Sequence, residues 1–200
     1  MHSTNSMRTI SRIILVVLLY TVMACNSQTN TSEKLQELAA QPDTLQAQRN
    51  PYQNLRDLAL HTKTDDIGIT VPDGSSVYGI VMDWDLGEGI VTLIAFKTGD
   101  ASMYLSSGGG MIGGGQHDAV REAVFSYLKK SQEYLSQTNQ SQATSLPDKN
   151  CIQFYLLTED GIYHAKETMA NIENQTSAWL ALFAEANNVI TELRQASEGK

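Results

Sequence analysis

Three short runs rich in β-branched and aromatic residues, joined by tight turns, constrain this chain more than any other feature. Val77 to Trp84 ends at Asp85-Leu86-Gly87-Glu88-Gly89, Ile90 to Phe96 ends at Lys97-Thr98-Gly99-Asp100, and Ala101 to Ser106 closes the set. Strands joined by so few residues pair antiparallel, because a parallel pair needs a crossover of about a dozen residues or more. Cys151 to Leu157 and Ile162 to Lys166, with Glu159-Asp160-Gly161 between them, repeat the pattern further along. A meander of this kind buries its apolar side chains only if helices cover it.

The helices are legible from periodicity. Asn50-Pro51 is a cap followed by a first-turn proline, and Tyr52, Leu55, Leu58 and Ala59 recur at helical spacing up to about Thr62. A second helix spans about Asp118 to Leu135, with Val120, Ala123, Val124, Tyr127, Leu128 and Leu135 on one stripe. A third spans about Thr176 to Ala196 through Trp179, Leu182, Phe183, Ala186, Ile190 and Leu193. Residues 136–149 are polar and low in complexity and read as a long loop. The order α-β-β-β-α-β-β-α predicts an α+β fold: a single antiparallel sheet of about five strands with helices packed on one face. This order is similar to that of profilin-like and longin-like domains in a different permutation, an analogy without functional content.

The amino terminus reads as an address. Arg8 and Arg12 precede the apolar run Ile13 to Val22, and no acid occurs before Glu33. Ten residues are too few to span a bilayer, which takes about 20. The run ends in Val22-Met23-Ala24-Cys25, which resembles the lipobox of bacterial lipoproteins. The resemblance implies a signal peptide at 1–24, cleavage after Ala24, and diacylglyceryl transfer to the Cys25 thiol. It implies a membrane-bound protein of the bacterial cell envelope. Asn26, where an aspartate would signal inner-membrane retention in enteric bacteria, favours the outer membrane.

Residues 25–49 are rich in Ser, Thr, Asn and Gln and read as a flexible tether. Within them Asp43-Thr44-Leu45 is similar to the short O-glycosylation signal of Bacteroidota, which would modify Thr44. Residues 50–200 form one domain. Removing the signal takes two of the 14 basic residues and none of the 22 acidic ones, so the net charge moves from -8 to -10. That balance argues against nucleic acid as a partner. Cys151, the thiol left over, opens an apolar run and reads as a buried small hydrophobe.

Six of the fourteen glycines fall at Gly108, Gly109, Gly110, Gly113, Gly114 and Gly115, between a strand and a helix. Backbone amides exposed before a helix can cradle an anion, and Arg121, one turn into the helix, could close such a site. Asp118 competes for the same amides as a cap. The spacing of Gly108, Gly110 and Gly113 fits G-x-G-x-x-G, but the strand before it belongs to a meander and not to a βαβ unit, so a dinucleotide fold is excluded. No Gly-Lys-Ser/Thr follows, which excludes a P-loop. The plainest reading is structural: glycines let the chain cross the sheet edge closely.

Other constellations are weaker. Ser106 or Ser107 with His117 lacks the G-x-S-x-G elbow of a hydrolase, and His61 and His164 read as surface residues. Asp83, Asp85 and Glu88 begin a calcium-loop pattern that fails at Gly87, so they read as a solvated turn. The histidines have no paired spacing for a metal, and no cofactor is expected.

Val77-Tyr78-Gly79-Ile80-Val81-Met82-Asp83, Val91-Thr92-Leu93, Gly99-Asp100-Ala101-Ser102-Met103-Tyr104 and the block from Ser107 through His117 to Arg121 resemble a family of bacterial proteins with a GGGxIGGGxH glycine loop. The likeness runs from about Leu55 to Leu135. It implies one domain with the glycine loop as its signature, and no activity. The leading expectation is an envelope lipoprotein acting as a binding or interaction module, with an envelope protein as partner. The alternatives are an enzyme or anion-binding protein using the glycine loop, and an immunity or accessory protein linked to its operon. The sequence leaves oligomeric state open.

Overall fold

The computed structural model of the chain describes residues 50–198. The signal, the lipobox with Cys25, the tether and Thr44 all lie outside the described residues. Helix α1 spans Pro51–His61, and strands β1 (Gly79–Asp85), β2 (Ile90–Phe96) and β3 (Ala101–Leu105) form the expected meander. Strand β4 (Gly110–Met111) lies inside the glycine segment, and α2 spans Asp118–Tyr134. Strand β5 (Asn139–Gln140), β6 (Cys151–Thr158), β7 (Gly161–Thr168), α3 (Met169–Glu173) and α4 (Leu180–Glu198) complete the chain.

All strands join one antiparallel sheet in the order β4-β3-β2-β1-β6-β7-β5. The fold is thus α+β with a single antiparallel sheet, as the turns require. Its strand count among the described residues is seven and not about five. The two extra strands are two-residue edge pieces with no hydrophobic alternation, one hidden among glycines and one in the polar stretch 136–149. The short α3 is a further addition to the order, capped by the Thr168 side chain accepting from the Asn171 amide at 3.3 Å.

The helices do not share one face. Strand alternation divides the interior in two. Ile80 and Met82 of β1, Leu93 of β2, and Ile152, Phe154 and Leu156 of β6 pack against Val120, Val124 and Tyr127 of α2 and Leu182, Ala186 and Val189 of α4. The other parity (Val81, Ile94, Tyr155, Leu157) packs against Ala59 and Leu60 of α1 and the segment through Ile67, Ile69 and Val71. β1, β2 and β6 are central strands with both faces covered, which explains their nearly unbroken apolar runs. The expectation of helices on one face failed because such runs carry no sign of which helix covers which side. The α2/α4 side is closed by aromatics: Trp84 meets Phe183 edge-on at 5.2 Å, and Trp179 stacks on Phe154 at 6.0 Å.

Candidate functional site

Helix α1 reaches the sheet through long polar side chains. Arg56 Nε and one terminal nitrogen donate to Asp83 Oδ2 at 2.8 and 2.6 Å. Asp83 is fully buried and Arg56 is 3% exposed. The Thr92 hydroxyl donates to Asp83 Oδ1 at 2.5 Å. Its single hydrogen is then spent, so the Tyr52 hydroxyl, 2.7 Å away, is the donor to Thr92. The chain Tyr52→Thr92→Asp83←Arg56 joins one helix to two adjacent strands.

Each charge here is compensated. Burial opposes the Arg56 cation, but the hydrogen bond and charge of Asp83 outweigh it and hold the guanidinium's pKa above its ordinary value. Burial pushes the Tyr52 phenol up to about 12; the Thr92 hydrogen bond pulls the other way and the Asp83 charge adds to the rise. Tyr52 therefore remains a donor at any physiological pH. The remaining Arg56 N–H groups donate to the carbonyls of Thr144 at 2.8 Å and Ser145 at 3.2 Å. The guanidinium also lies over the Tyr155 ring, 5.4 Å from its centroid. The Tyr155 hydroxyl donates to the Ser145 carbonyl, 2.5 Å away, and shares that hydrogen with Gln153 Oε1 beside it. Arg56 thus fastens residues 141–149 as well as its own helix.

Beside this cluster lies a cleft of about 490 Å³. On one side are Pro51, Tyr52 and Leu55 of α1; on the other are Ser106 to Gly110 and Ile112; Tyr104 of β3 joins them. Tyr104 pairs with Thr92, so it shares the face of the sheet that α1 covers. The lining holds no charged side chain. Ile112 is 73% exposed at its rim.

The structure separates the glycines into two groups. Gly108, Gly109 and Gly110 border the cleft, whereas Gly113, Gly114 and Gly115 lead into α2. Gly114 is buried where a Cβ would meet Leu193 Cδ2 at 2.4 Å and Val120 at 2.9 Å; at Gly115 it would meet Asp100 Oδ1 at 2.0 Å. These two permit close packing of the edge against α4 and the β2–β3 turn. A Cβ on Gly110 would lie 2.3 Å from the Met103 carbonyl, which is what β4 pairing with β3 requires. Two of the amides are already committed: Gly108 N–H to the Leu105 carbonyl at 2.9 Å and Gly113 N–H to Ser102 Oγ at 3.3 Å. Arg121 does not line the cleft. Its stem packs over Gly99.

Other sequence candidates scatter. Ser106 Oγ accepts from the Ile90 amide at 2.8 Å, Ser107 lines the cleft, and His117 is the N-cap residue of α2 without a capping side-chain bond. Asp85 accepts the amides of Gly87 and Asn150, both at 2.9 Å. Among the described residues no group of three or more His, Cys, Asp or Glu could hold a metal. Cys151 is buried and unbonded to another cysteine.

Two sequence expectations are overturned. Asp83 is no part of a solvated turn but the buried end of an ion pair, because strand parity turns it under α1. His164 is no simple surface residue: its Nε2 is sealed without a partner and its ring stacks on Tyr155 at 4.9 Å. The Arg56–Asp83 cluster escapes a reading of the sequence because its members lie far apart along the chain. One signal does point to it: Asp83 inside an otherwise apolar strand, and Arg56 on the apolar stripe of α1, are two charges of opposite sign at buried positions.

Compared with known protein families, curated proteins and solved structures, the chain matches none.

Proposed function

We propose that the chain is a bacterial envelope lipoprotein, anchored through Cys25, whose domain is a binding module. The cleft between α1 and the glycine segment is its binding surface. The observation that carries this reading is the lining itself: a concave site free of charged side chains on a chain with 22 acidic and 14 basic residues. Such a site selects an uncharged, partly apolar ligand or partner segment, with Tyr104 and the backbone groups of Ser106–Gly110 supplying orientation. An anion finds no cation in the lining. The glycine segment in this reading shapes the rim and leaves Ile112 exposed as an anchor.

The lipobox and the polar residues after it support the anchor. No helix among the described residues is long and apolar enough to cross a membrane; in this reading the acyl chains on Cys25 supply the attachment. Palmitate labelling of wild type and Cys25→Ala tests the anchor; equal labelling of both contradicts it. Titration of the protein with uncharged peptides and with phosphate, followed by amide resonances of Gly108–Ile112, tests the cleft. Shifts with peptide and none with phosphate are expected, and the reverse pattern returns the loop to anion binding.

A further inference from the structure

We propose that His164 is an acid-sensitive latch that releases residues 141–149 when its ring takes up a proton. The imidazole lies on β7, opposite Tyr155 of β6 and Asn139 of β5. It stacks on Tyr155 with ring planes 24° apart. The Arg56 guanidinium also lies over this tyrosine, 5.4 Å from the ring centroid. Tyr155 and Arg56 both hold the Ser145 carbonyl. Tyr155, with His164 stacked on it, and Arg56 therefore fasten one segment.

A second positive charge has nowhere to go in this stack. Nε2 is sealed from solvent and has no hydrogen-bond partner. The charged groups facing the site come from four elements. Arg56 stands on α1, and Asp83 on β1 is already bound to it. Lys166 lies two residues along β7 on the same face, and Asp148 of the 141–149 segment is bound to Lys166. Gln153 and Tyr155 of β6 and Asn139 of β5 are uncharged. Asp83 and Asp148 thus serve other cations, Asp57 of α1 lies 4.0 Å from Arg56 Nη1, and an imidazolium would add to Arg56 and Lys166. Burial, and then the charge of Lys166, hold the His164 pKa below its ordinary value.

A histidine whose folded pKa is lowered binds fewer protons folded than unfolded, so stability is full above the ordinary imidazole value and falls as pH drops through it toward the folded value. Water is the partner a protonated ring would seek. Turning toward it breaks the stack on Tyr155, and Tyr155 and Arg56 then lose their shared grip on Ser145. The effect is local because β1, β2 and β6 are held by ladders that do not involve the ring.

Hydrogen exchange of the full chain tests this between about pH 7.5 and about pH 5.5, a window that brackets the ordinary imidazole pKa. After correction for intrinsic chemistry, protection in 141–149 should fall with acid in wild type while β1 amides stay protected. In His164→Phe, which keeps the stack but cannot be protonated, protection should be the same at both pH values. Equal protection in wild type, or an equal loss in His164→Phe, overturns the proposal. A second readout covers failure of the variant to fold: the His164 ring resonance in wild type should titrate below the ordinary imidazole value. Titration at or above that value is equally decisive against it.

Discussion

Arg56→Met gives the sharpest test of how α1 is held. The substitution keeps the length and most of the apolar stem but removes both bonds to Asp83 Oδ2, at 2.8 and 2.6 Å. Asp83, with no exposed surface, is left with the Thr92 hydroxyl alone. Removing one partner of a buried pair costs about 3–5 kcal/mol, because the other charge stays behind uncompensated. The freed carbonyls of Thr144 and Ser145 add less, since their bonds to Arg56 are only partly buried and water can reach them. A loss of this size is a large share of the roughly 5–15 kcal/mol that holds a domain folded. Urea unfolding, followed by the fluorescence of Trp84 and Trp179, measures it. The double variant Arg56→Met/Asp83→Leu should recover much of the loss, since an apolar replacement of a whole pair is often neutral. A cost below about 1 kcal/mol for Arg56→Met, the range of exposed pairs, would show that the pair does not hold the helix. So would a double variant whose loss equals the sum of the two single losses.

Further expectations follow from single residues. Tyr127 is fully buried with an unpaired hydroxyl, so Tyr127→Phe should be neutral or stabilising by about 1 kcal/mol in the same unfolding assay. Gly114→Ala should destabilise, because the new Cβ would stand 2.4 Å from Leu193 Cδ2 inside the α2/α4 side; thermal unfolding should show a lowered midpoint. Thr92→Val keeps the shape of the side chain but breaks the link from Tyr52 to Asp83, and should cost about 1–3 kcal/mol. It should also weaken any cleft ligand, measured by titration calorimetry, since Tyr52 lines that cleft.

The legible part of the fold is the part with strong local signals. β1, β2, β3, β6 and β7 show themselves by β-branched runs between turn residues, and α2 by its stripe from Val120 to Leu128. β4 and β5 do not, because two residues cannot show alternation and their pairing is fixed by what lies beside them. The side on which α1 packs is equally hidden. Tyr52 and Ala59 show that the helix has a buried face, but not which face of the sheet receives it. The site follows the same division. The glycine segment stands out by composition, and half of it does border the cleft. The Arg56–Asp83 pair, 27 residues apart, becomes visible only when strand parity turns Asp83 toward α1. His164 is half-buried, and its Nε2 is sealed, only because the β6–β7 register brings Tyr155 beside it.

If the cleft beside Ile112 is where this protein meets its partner at the membrane, a probe placed there should report the meeting. A photo-crosslinking amino acid at Ile112 of the full chain in cells is that probe, with Phe125, exposed on α2 away from the cleft lining, as the control position. Position 112 should give a discrete adduct that is absent from position 125 and lost when Tyr104→Ala is added. The same adducts from both positions, or an adduct at 112 indifferent to Tyr104, would mean that the cleft is not the binding surface.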